Sequence, residues 1–383
     1  MSNRKKLGIL GGGQLGKMLS MAAGPWHYPI HMLDESVDFP AGPYSMGFTE
    51  GSFKDYEAVL AFGRQMDVVS IEIEHVNTEA LEQLEKEGII VHPAPRALKI
   101  IKDKGLQKQF YTQHEIPTSS YQLFDTEDEL RAAIKNGQLT FPFVQKSRTA
   151  GYDGKGVALI KDAEALSKLL PGPSLIEELV DIEKELSVVA ARNESGEVAT
   201  FPLVEMEFNE EANLVEFLLC PARVAEDVAI EADQLARKVI EAFDICGLLA
   251  VELFWTKSGE ILVNEVAPRP HNSGHHTIES CLTSQFQQHL RGVLNLPLGS
   301  TQATSPAVML NLLGEPGHTG PAHYQGFEDC LAIDGVYIHL YGKEITKPFR
   351  KMGHITILGN SAEDAIAKAM KVKGLLKVIS QSS

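Results

Sequence analysis

Two glutamates, Glu252 and Glu265, have the spacing of residues that face each other across a β-hairpin. The segments AVELFWT and ILVNEVA have the composition of strands, and the turn Lys257-Ser258-Gly259-Glu260 separates them. A two-residue loop at Ser258-Gly259 would place the two carboxylates directly opposite each other. Like charges in that position are destabilising, and Mg²⁺ bridging phosphates would neutralise them. We therefore predict a magnesium site here; the alternative is a pair splayed at a solvated edge.

A glycine-rich segment between two short predicted strands is the second feature that could do chemistry. It runs Lys146-Ser147-Arg148-Thr149-Ala150-Gly151-Tyr152-Asp153-Gly154-Lys155-Gly156. Because it joins a strand to a strand, it is not a P-loop, which joins a strand to a helix. Its backbone N–H groups and its lysines can enclose a polyphosphate. We interpret it as a phosphate-binding lid; the alternative is an ordinary solvated hairpin.

A second glycine motif, Gly11-Gly12-Gly13-Gln14-Leu15-Gly16, follows a predicted strand and opens a predicted helix. Helix N–H groups attract anions. Asp34 ends the next strand, near the position where an acidic residue would hydrogen-bond the ribose of a dinucleotide. Taken alone, the motif favours an NAD-dependent oxidoreductase. A tight βα turn without a dinucleotide is the alternative, and the oxidoreductase reading leaves Glu252 and Glu265 unexplained.

Two further polar segments favour anionic ligands. The loop Arg269-Pro270-His271-Asn272-Ser273-Gly274-His275-His276 directly follows the strand that carries Glu265. Its three histidines lack the cysteine or carboxylate partners of a zinc site, whereas arginine beside a magnesium site suits an anionic substrate. Lys343, Lys347, Arg350 and Lys351 form a basic concentration suited to a phosphate, or else a solvated charge run.

The elements that position these residues fall into three predicted parts. In residues 1–95, strand-like and helix-like segments alternate, which predicts a doubly wound parallel sheet in an α/β fold. Residues 96–298 begin with a predicted helix over Ala97–Gln113 and continue as short strands; we place the lid at about residues 120–182. Residues 299–383 form a small α+β domain.

Composition excludes several classes of protein. The 383 residues carry 35 Lys and Arg against 51 Asp and Glu, a formal net charge of −16. Such a surface repels nucleic acid and anionic lipid, so we expect neither as a partner. The four cysteines (Cys220, Cys246, Cys281 and Cys330) include no CxxC pair, which argues against a disulfide framework. With no predicted signal peptide or membrane span, we expect a cytoplasmic protein.

Taken together and in this order, the motifs resemble the ATP-grasp superfamily, and within it the N5-carboxyaminoimidazole ribonucleotide synthetase family. The matching stretches span nearly the whole chain: ILGGGQLGKM, VSIEIEHV, HPAPRALKIIKDK with QKQF, KSRTAGYDGKG, IEELVDIEKELSVV, VELFW, LVNEVAPRPHNSGHHT and GKEITKPFRKMGH. GYDGKG combined with NEVAPRPHNSGH is specific to this family, whereas GxGxxG is not.

The resemblance implies ATP-dependent carboxylation of 5-aminoimidazole ribonucleotide by bicarbonate, through carboxyphosphate, in purine biosynthesis. It implies Mg²⁺ (or Mn²⁺ in its place) as cofactor and a homodimer as the assembly. For ATP, it points to Lys104, Lys146, Gly151, Tyr152, Asp153, Gly154, Lys155, Gly156, Val157, Glu177, Glu178, Leu179, Val180, Glu185, Asn264 and Glu265. For the ribonucleotide, it points to Gln14, Leu15, Glu72, Glu74, Tyr152, Asp153, Arg269, His271, Asn272, Lys343, Arg350 and Lys351. Catalytic roles fall to Asp153, Arg269 and His271, and Glu252 and Glu265 hold the metal.

Three positions depart from the family pattern. Lys104 stands where relatives often have arginine, and Ala150 replaces a glycine. Val204–Phe208 lacks the asparagine and histidine that relatives tend to show. Another ATP-grasp ligase, such as formate-dependent glycinamide ribonucleotide transformylase, would share the magnesium pair but not GYDGKG with HNSGHH.

Overall fold

The structure is a computed structural model that describes residues 4–149, 156–209 and 214–381. Its N-terminal part is a parallel sheet with strand order β3-β2-β1-β4-β5, flanked by helices. The predicted parallel α/β fold is therefore confirmed; the short edge strand β3 was not anticipated. The elements are β1 (Leu7–Leu10), α1 (Gln14–Ala23), β2 (Ile30–Asp34), β3 (Gly47–Glu50), α2 (Tyr56–Gly63), β4 (Val68–Ile71), α3 (Thr78–Lys86) and β5 (Ile90–Val91).

A small antiparallel sheet, with strand order β6-β9-β7-β8, follows two helices. Strands β7 and β8 are the two that flank the glycine-rich segment, as expected. The elements are α4 (Pro95–Lys102), α5 (Lys104–Gln113), β6 (Tyr121–Phe124), α6 (Glu127–Lys135), β7 (Phe143–Ser147), β8 (Val157–Ile160) and β9 (Ser174–Glu178).

The predicted single helix over Ala97–Gln113 is wrong, because the chain breaks at Asp103 into α4 and α5. Asp103 leaves the helical conformation (φ −117°, ψ 109°). Its Oδ1 accepts hydrogen bonds from the backbone N–H of Gly105 at 2.7 Å and of Leu106 at 3.1 Å. Such an N-cap satisfies N–H groups that a new helix leaves free. The break starts α5 at Lys104 and so places that lysine in the first turn of the new helix.

A large sheet runs through the rest of the molecule in the order β15-β14-β10-β12-β13-β16-β20-β18, and β11 also pairs with β10. The sheet crosses the proposed boundary at residues 298 and 299, because β16, β18 and β20 extend it. Its central elements are β10 (Ile182–Arg192), β11 (Val198–Thr200), β12 (Val204–Asn209), β13 (Leu214–Cys220), α7 (Glu226–Phe243), β14 (Gly247–Thr256), β15 (Ile261–Ala267), α8 (Thr277–Ser280) and α9 (Gln285–Val293).

The last part adds three strands to the large sheet and forms a small sheet of its own in the order β19-β17-β21. Helix α11 packs on this part and closes a separate apolar core. The elements are β16 (Ala307–Leu313), β17 (Gly320–Gln325), α10 (Phe327–Leu331), β18 (Val336–Leu340), β19 (Ile345–Thr346), β20 (Lys351–Leu358), α11 (Ala362–Leu375) and β21 (Lys377–Ser380).

The central core decides which side chains face outward from the large sheet. Val251 and Leu253 of β14 and Val263 of β15 are fully buried in one cluster with residues of α7. Because successive side chains of a strand point to opposite faces, Glu252 lies on the face turned away from α7. The helix therefore covers the apolar face and leaves the polar face for ligands.

Candidate active site

Glu252 and Glu265 are directly paired across β14 and β15, as the sequence predicts. The pairing depends on a β-bulge, because the next pair is Leu253 with Val263, which leaves Asn264 without a partner residue. A bulge adds one residue to one strand and redirects its side chains. Asn264 is thereby placed beside Glu265 at the polar face.

The predicted two-residue turn at Ser258-Gly259 is wrong. The N–H of Thr256 donates to the carbonyl of Glu260 at 2.9 Å, so three residues form the loop. Gly259 takes a positive φ of 91°, which is typical of the third residue in such loops. The three-residue loop shifts the register of the hairpin by one residue, and the bulge at Asn264 shifts it back. Glu252 and Glu265 are therefore paired although the turn is longer than predicted.

Glu252 and Glu265 have different charged neighbours. The Nζ of Lys104, in the first turn of α5, contacts the Oε2 of Glu265. This lysine lowers the pKa of Glu265, although burial opposes the shift. Burial, followed by the charges of Glu265 and Glu185, raises the pKa of Glu252. The Nε2 of His271 lies 3.4 Å from the Oε1 of Glu252. The pair therefore keeps a repulsion that a bound cation would relieve.

Glu185 of β10 joins the two paired carboxylates on the polar face. It pairs with Phe254, two residues from Glu252 along β14, and residues two apart on a strand share a face. Burial raises the pKa of Glu185 to about 7, although Lys146 opposes the shift. Three carboxylates and the two lysines beside them make a strongly polar cleft between the sheets.

Lys146 of β7 borders the same cleft from the small sheet. Its Nζ donates to the Oδ1 of Asn264 at 2.8 Å and lies 2.6 Å from the Oε2 of Glu177 on β9. Burial alone would raise the pKa of Glu177, but Lys146 and Lys108 outweigh it and lower that pKa to about 2. Lys146 is thus held between the two sheets. The Glu177 carboxylate contacts both Lys146 and Lys108. Its neighbours Glu178 and Leu179 are exposed.

The connection between β9 and β10 carries the remaining residues predicted to line a base pocket. Leu179 has 44% of its surface exposed, and Val180 beside it is half-buried. An exposed leucine offers an apolar surface on which the face of a planar base can pack. Val157, at the start of β8, pairs with Lys146 and is exposed. The neighbouring Gly156 accepts a hydrogen bond from the N–H of Ser147 at 2.9 Å.

The N-terminal glycine loop is organised by two carboxylates of the chain itself. The Oδ2 of Asp34 accepts from the N–H of Gly12 at 2.6 Å, and the Oε1 of Glu72 accepts from that of Gly13 at 2.6 Å. The Oε2 of Glu72 also accepts from the N–H of Gly16. A dinucleotide pyrophosphate would need these N–H groups, so their internal partners argue against the oxidoreductase reading.

Glu72 also explains why the loop consists of glycines. A Cβ on Gly11 would lie 2.3 Å from the Cγ of Glu72, and Gly11 has φ +110°. Burial raises the pKa of Glu72 to about 7, although the N–H groups of Gly16 and Gly13 oppose the shift. The next two residues of the motif, Gln14 and Leu15, begin α1 and are half-buried.

The loop after β15 carries Arg269, His271 and Asn272, and the first two of these contact carboxylates. The Nε of Arg269 lies 2.8 Å from the Oε1 of Glu74, which follows β4. The Nδ1 of His271 is 2.9 Å from the Oγ of Ser273, which fixes the ring with Nε2 towards Glu252. Asn272 is half-buried in a single 3₁₀ turn.

Gln285, at the start of α9, is a residue that sequence reasoning missed. Its Oε1 accepts from the N–H of His271 at 2.9 Å, and its Nε2 donates to the carbonyl of His271 at 2.8 Å. The same amide lies 2.9 Å from the Nδ1 of His275. Side-chain bonds of this kind satisfy backbone groups that a loop leaves free. Gln285 therefore fixes the backbone that carries His271.

Of the four clustered C-terminal basic residues, the three assigned to the substrate phosphate lie together. The Nζ of Lys343 donates to the carbonyl of Lys351 at 2.7 Å, and the Nη1 of Arg350 donates to the carbonyl of Ile345 at 2.5 Å. Lys343, Arg350 and Lys351 are half-buried. The pKa of His275 is lowered well below its usual value, first by burial and then by neighbouring imidazoles and Lys351. Lys351 begins β20, and His354 of the same strand contacts His275 of the loop after β15.

Stacked histidines connect that loop to the C-terminal strands. The ring centroid of His354 on β20 lies 4.5 Å from that of His275 and 4.4 Å from that of His339 on β18. The Nε2 of His339 is 2.8 Å from the Oε1 of Glu279 in α8. Near the glycine loop, the Nζ of Lys17 donates to the carbonyl of Leu340 at 2.8 Å. The loop after β15 therefore contacts the first part of the chain through Glu74 and the last part through His354.

Some predicted site residues lie outside the described residues: Gly151, Tyr152, Asp153, Gly154 and Lys155.

Glu205, in the segment that departs from the family pattern, is buried. Its Oε1 lies 2.6 Å from the Nζ of Lys184 and 2.7 Å from the Nη2 of Arg223. The two basic side chains therefore neutralise Glu205 without a ligand.

Across residues 4–149, 156–209 and 214–381, no three His, Cys, Asp or Glu side chains form a metal-binding group. No helix in those same ranges is long and apolar enough to cross a membrane.

The fold and the cleft define the chain as an ATP-grasp protein with a preceding parallel-sheet domain. Family models match the ribonucleotide synthetase preATP-grasp domain over residues 4–102 and the ATP-grasp domain over residues 109–286. A third, the phosphoribosylaminoimidazole carboxylase C-terminal domain, matches residues 307–368. The chain belongs to the N5-carboxyaminoimidazole ribonucleotide synthetase family, so the resemblance seen in its motifs is confirmed.

Three relatives illustrate the family. N5-carboxyaminoimidazole ribonucleotide synthase of Bacillus subtilis is 35% identical, over 94% of this chain and 93% of the relative. The solved synthetase of Thermotoga maritima is 44% identical with a TM-score of 0.91, over 99% of this chain and 100% of that one. The Aspergillus clavatus synthase in complex with ADP and 5-aminoimidazole ribonucleotide is 34% identical with a TM-score of 0.89, over 98% and 99%.

Other curated relatives are longer than this chain. Fungal proteins named phosphoribosylaminoimidazole carboxylase are 36% to 38% identical, and the chain spans 66% of their length. The similarity covers 97% of this chain in each of these three. The chain therefore corresponds to about two thirds of those proteins.

Proposed function

We propose that this chain carboxylates 5-aminoimidazole ribonucleotide with bicarbonate, cleaving ATP to ADP and phosphate and yielding N5-carboxyaminoimidazole ribonucleotide. The observation that carries this proposal is the cleft where Lys104 contacts Glu265, Lys146 donates to Asn264, and His271 lies beside Glu252. Lysines suited to phosphate and paired carboxylates suited to a cation meet there, next to the loop after β15 that carries Arg269 and His271. Solved structures of relatives in complex with ATP, or with ADP and 5-aminoimidazole ribonucleotide, support the same reaction.

ATP binds between the small sheet and the large sheet in this proposal. Lys104, Lys146 and residues 151–157 hold its phosphates, and the Glu178–Val180 connection and Glu185 line the base and ribose. Glu252 and Glu265, with Asn264 beside them, would hold Mg²⁺. The fit rests on donor chemistry, since hard oxygen ligands with unrelieved repulsion suit this ion, which usually takes one or two carboxylates plus phosphate oxygens. Bound Mg²⁺ would neutralise charge on the phosphates.

The ribonucleotide binds on the opposite side of the cleft. The glycine loop with Gln14 and Leu15, the strand end with Glu72 and Glu74, and Tyr152 contact its ring and ribose. Lys343, Arg350 and Lys351 hold its phosphate. Arg269 and His271, held in place by Glu74 and Gln285, face the junction between the two substrates.

The proposed reaction consists of a phosphoryl transfer followed by a carboxyl transfer. An oxygen of bicarbonate attacks the γ-phosphorus of ATP, the bond to the ADP oxygen breaks, and carboxyphosphate forms. The ribonucleotide amine then attacks the carboxyl carbon, the carbon–oxygen bond to phosphate breaks, and phosphate leaves. Asp153 accepts the proton that the amine loses. Arg269 and His271 supply positive charge where negative charge develops.

One assay distinguishes the proposed reaction from those of a transformylase and an oxidoreductase. We expect ADP release to require both bicarbonate and 5-aminoimidazole ribonucleotide, with no change in nicotinamide absorbance. ADP release that needs formate and glycinamide ribonucleotide instead would assign the chain to the transformylase. A homodimer in the cytoplasm completes the proposal, and size-exclusion chromatography with light scattering tests the dimer.

The C-terminal basic group gives a prediction about substrate affinity. Lys343→Met or Arg350→Met should weaken binding of the ribonucleotide by about 10- to 100-fold, because a hydrogen bond to a charged group contributes about 1.5–3 kcal/mol. Isothermal titration with each substrate measures the effect, and ATP affinity should not change. Lys347→Met is the matched control, since Lys347 is exposed on the same loop. A loss of ATP affinity in both variants would exchange the two substrate assignments.

A further inference from the structure

Lys108 is a buried cation that the proposed reaction does not use. It lies one helical turn after Lys104 on α5, and only 2% of its surface is exposed. Its Nζ is 2.5 Å from the Oε1 of Glu177 and donates to the Oγ of Ser119 at 2.9 Å. Lysine is almost never fully buried unless it is paired, so a role for this pair is expected.

Glu177 is shared between two lysines. Its Oε1 contacts Lys108 and accepts from the Oγ of Ser119 at 2.7 Å, while its Oε2 lies 2.6 Å from the Nζ of Lys146. Only 4% of Glu177 is exposed, so water cannot replace a lost partner. The three side chains together carry one formal positive charge, and Lys146 is the one of them that also contacts Asn264 beside Glu265.

Lys146 has to serve a ligand as well as Glu177. Its Nζ already reaches Asn264 at 2.8 Å, next to Glu265. If Glu177 had no other cation, a phosphate could draw Lys146 away only by leaving a buried carboxylate unpaired, which is strongly unfavourable. With Lys108 and Ser119 in place, Glu177 stays compensated when Lys146 turns to the phosphate.

We propose that Lys108 is a positioning residue that neutralises Glu177 and so frees the ammonium of Lys146 to bind a nucleotide phosphate. The inference rests on the proposed binding of ATP at Lys146. Without Lys108, the pair of Glu177 and Lys146 is neutral and closed. Removing the carboxylate as well restores one unopposed positive charge at Lys146.

The test compares Lys108→Met with Lys108→Met/Glu177→Gln by calorimetric titration of a non-hydrolysable ATP analogue. We expect the single variant to bind the analogue about 10- to 100-fold more weakly than the wild-type chain, and the double variant to regain most of that loss. Affinity for the ribonucleotide should stay the same in both, which a general loosening of the fold would not allow. Lys102→Met removes a half-buried lysine from α4 and is the matched control.

Three results would overturn the inference alone: wild-type affinity in Lys108→Met, no recovery in the double variant, or an equal loss for both substrates. Lys108→Gln, which keeps a donor but not the charge, replaces Lys108→Met if that variant does not fold, with the same expectation. A wild-type chain that binds no ATP analogue but is folded would overturn the proposed function itself, and the inference with it.

Discussion

Glu252→Ala should lower ribonucleotide-dependent ADP formation by at least about 10³-fold, because metal-ion charge stabilisation contributes several kcal/mol and each 1.4 kcal/mol or so is a factor of ten. The folded chain should persist. Glu252 faces Glu265 across the hairpin, and removing one of two opposed like charges stabilises a sheet. We therefore expect the midpoint of thermal unfolding to stay equal or to rise while turnover is lost.

Glu260→Ala is the matched control for this variant. Glu260 lies in the turn of the same hairpin, is exposed, and accepts from the Oγ of Ser258 at 3.0 Å. It should retain wild-type ADP formation at saturating Mg²⁺. Glu265→Ala should behave like Glu252→Ala, with some loss of stability, because Lys104 loses its partner. Near-normal ADP formation in both Glu252→Ala and Glu265→Ala would refute the metal assignment.

Asp153→Asn should lower carboxylation by at least about 10²-fold, the scale of a lost general base. A carboxylate is a poor choice for holding triphosphate, because it repels the charge that the neighbouring lysine attracts. The ribonucleotide amine, in contrast, must lose a proton as it captures the carboxyl group. Asparagine keeps the turn-forming capacity of aspartate but cannot accept that proton. Nucleotide affinity should hardly change.

Product and ADP are measured separately in this experiment, so that slow carboxylation is distinguished from slow ATP cleavage. Asp162→Asn is the control, because Asp162 follows β8 and its Oδ1 accepts from the N–H of Ala165 at 3.0 Å, away from the cleft. Full activity in Asp153→Asn would return Asp153 to a turn-forming role and leave the base unidentified.

The carboxylate pair was predictable from sequence because alternation decides which face a strand residue occupies. Val251 and Leu253 bury one face of β14 under α7, so Glu252 must lie on the other. The turn length was not predictable, since a three-residue loop and a bulge at Asn264 compensate each other. A pattern of apolar and polar residues carries no sign of either.

One error, the single predicted helix, and one omission, the role of Lys108, have causes that particular residues explain. Apolar residues continue across Asp103, so the periodicity hides a break that the Asp103 side chain creates by capping α5. Lys108 has the i,i+4 spacing from Lys104 that would place both on one helix face, and this signal was available. What it could not show is Glu177, because that partner comes from a strand of another sheet.

Pairing between distant strands was the least accessible feature. Strand β13 pairs with β16, and β16 with β20, so that the C-terminal part continues the large sheet. Such registers depend on contacts between segments far apart in sequence, which hydrophobic patterning within a segment does not specify. The same limit applies to the meeting of Arg269 with Glu74.

The fate of the bicarbonate oxygens tests the central claim most directly. Turnover of freshly prepared ¹⁸O-bicarbonate with ATP and 5-aminoimidazole ribonucleotide is followed by mass spectrometry of the phosphate released. If bicarbonate attacks the γ-phosphorus and its carboxyl group then moves to the amine, the bridging oxygen stays with phosphate, and each phosphate carries one ¹⁸O. ADP formation that depends on the ribonucleotide but yields unlabelled phosphate would contradict the account.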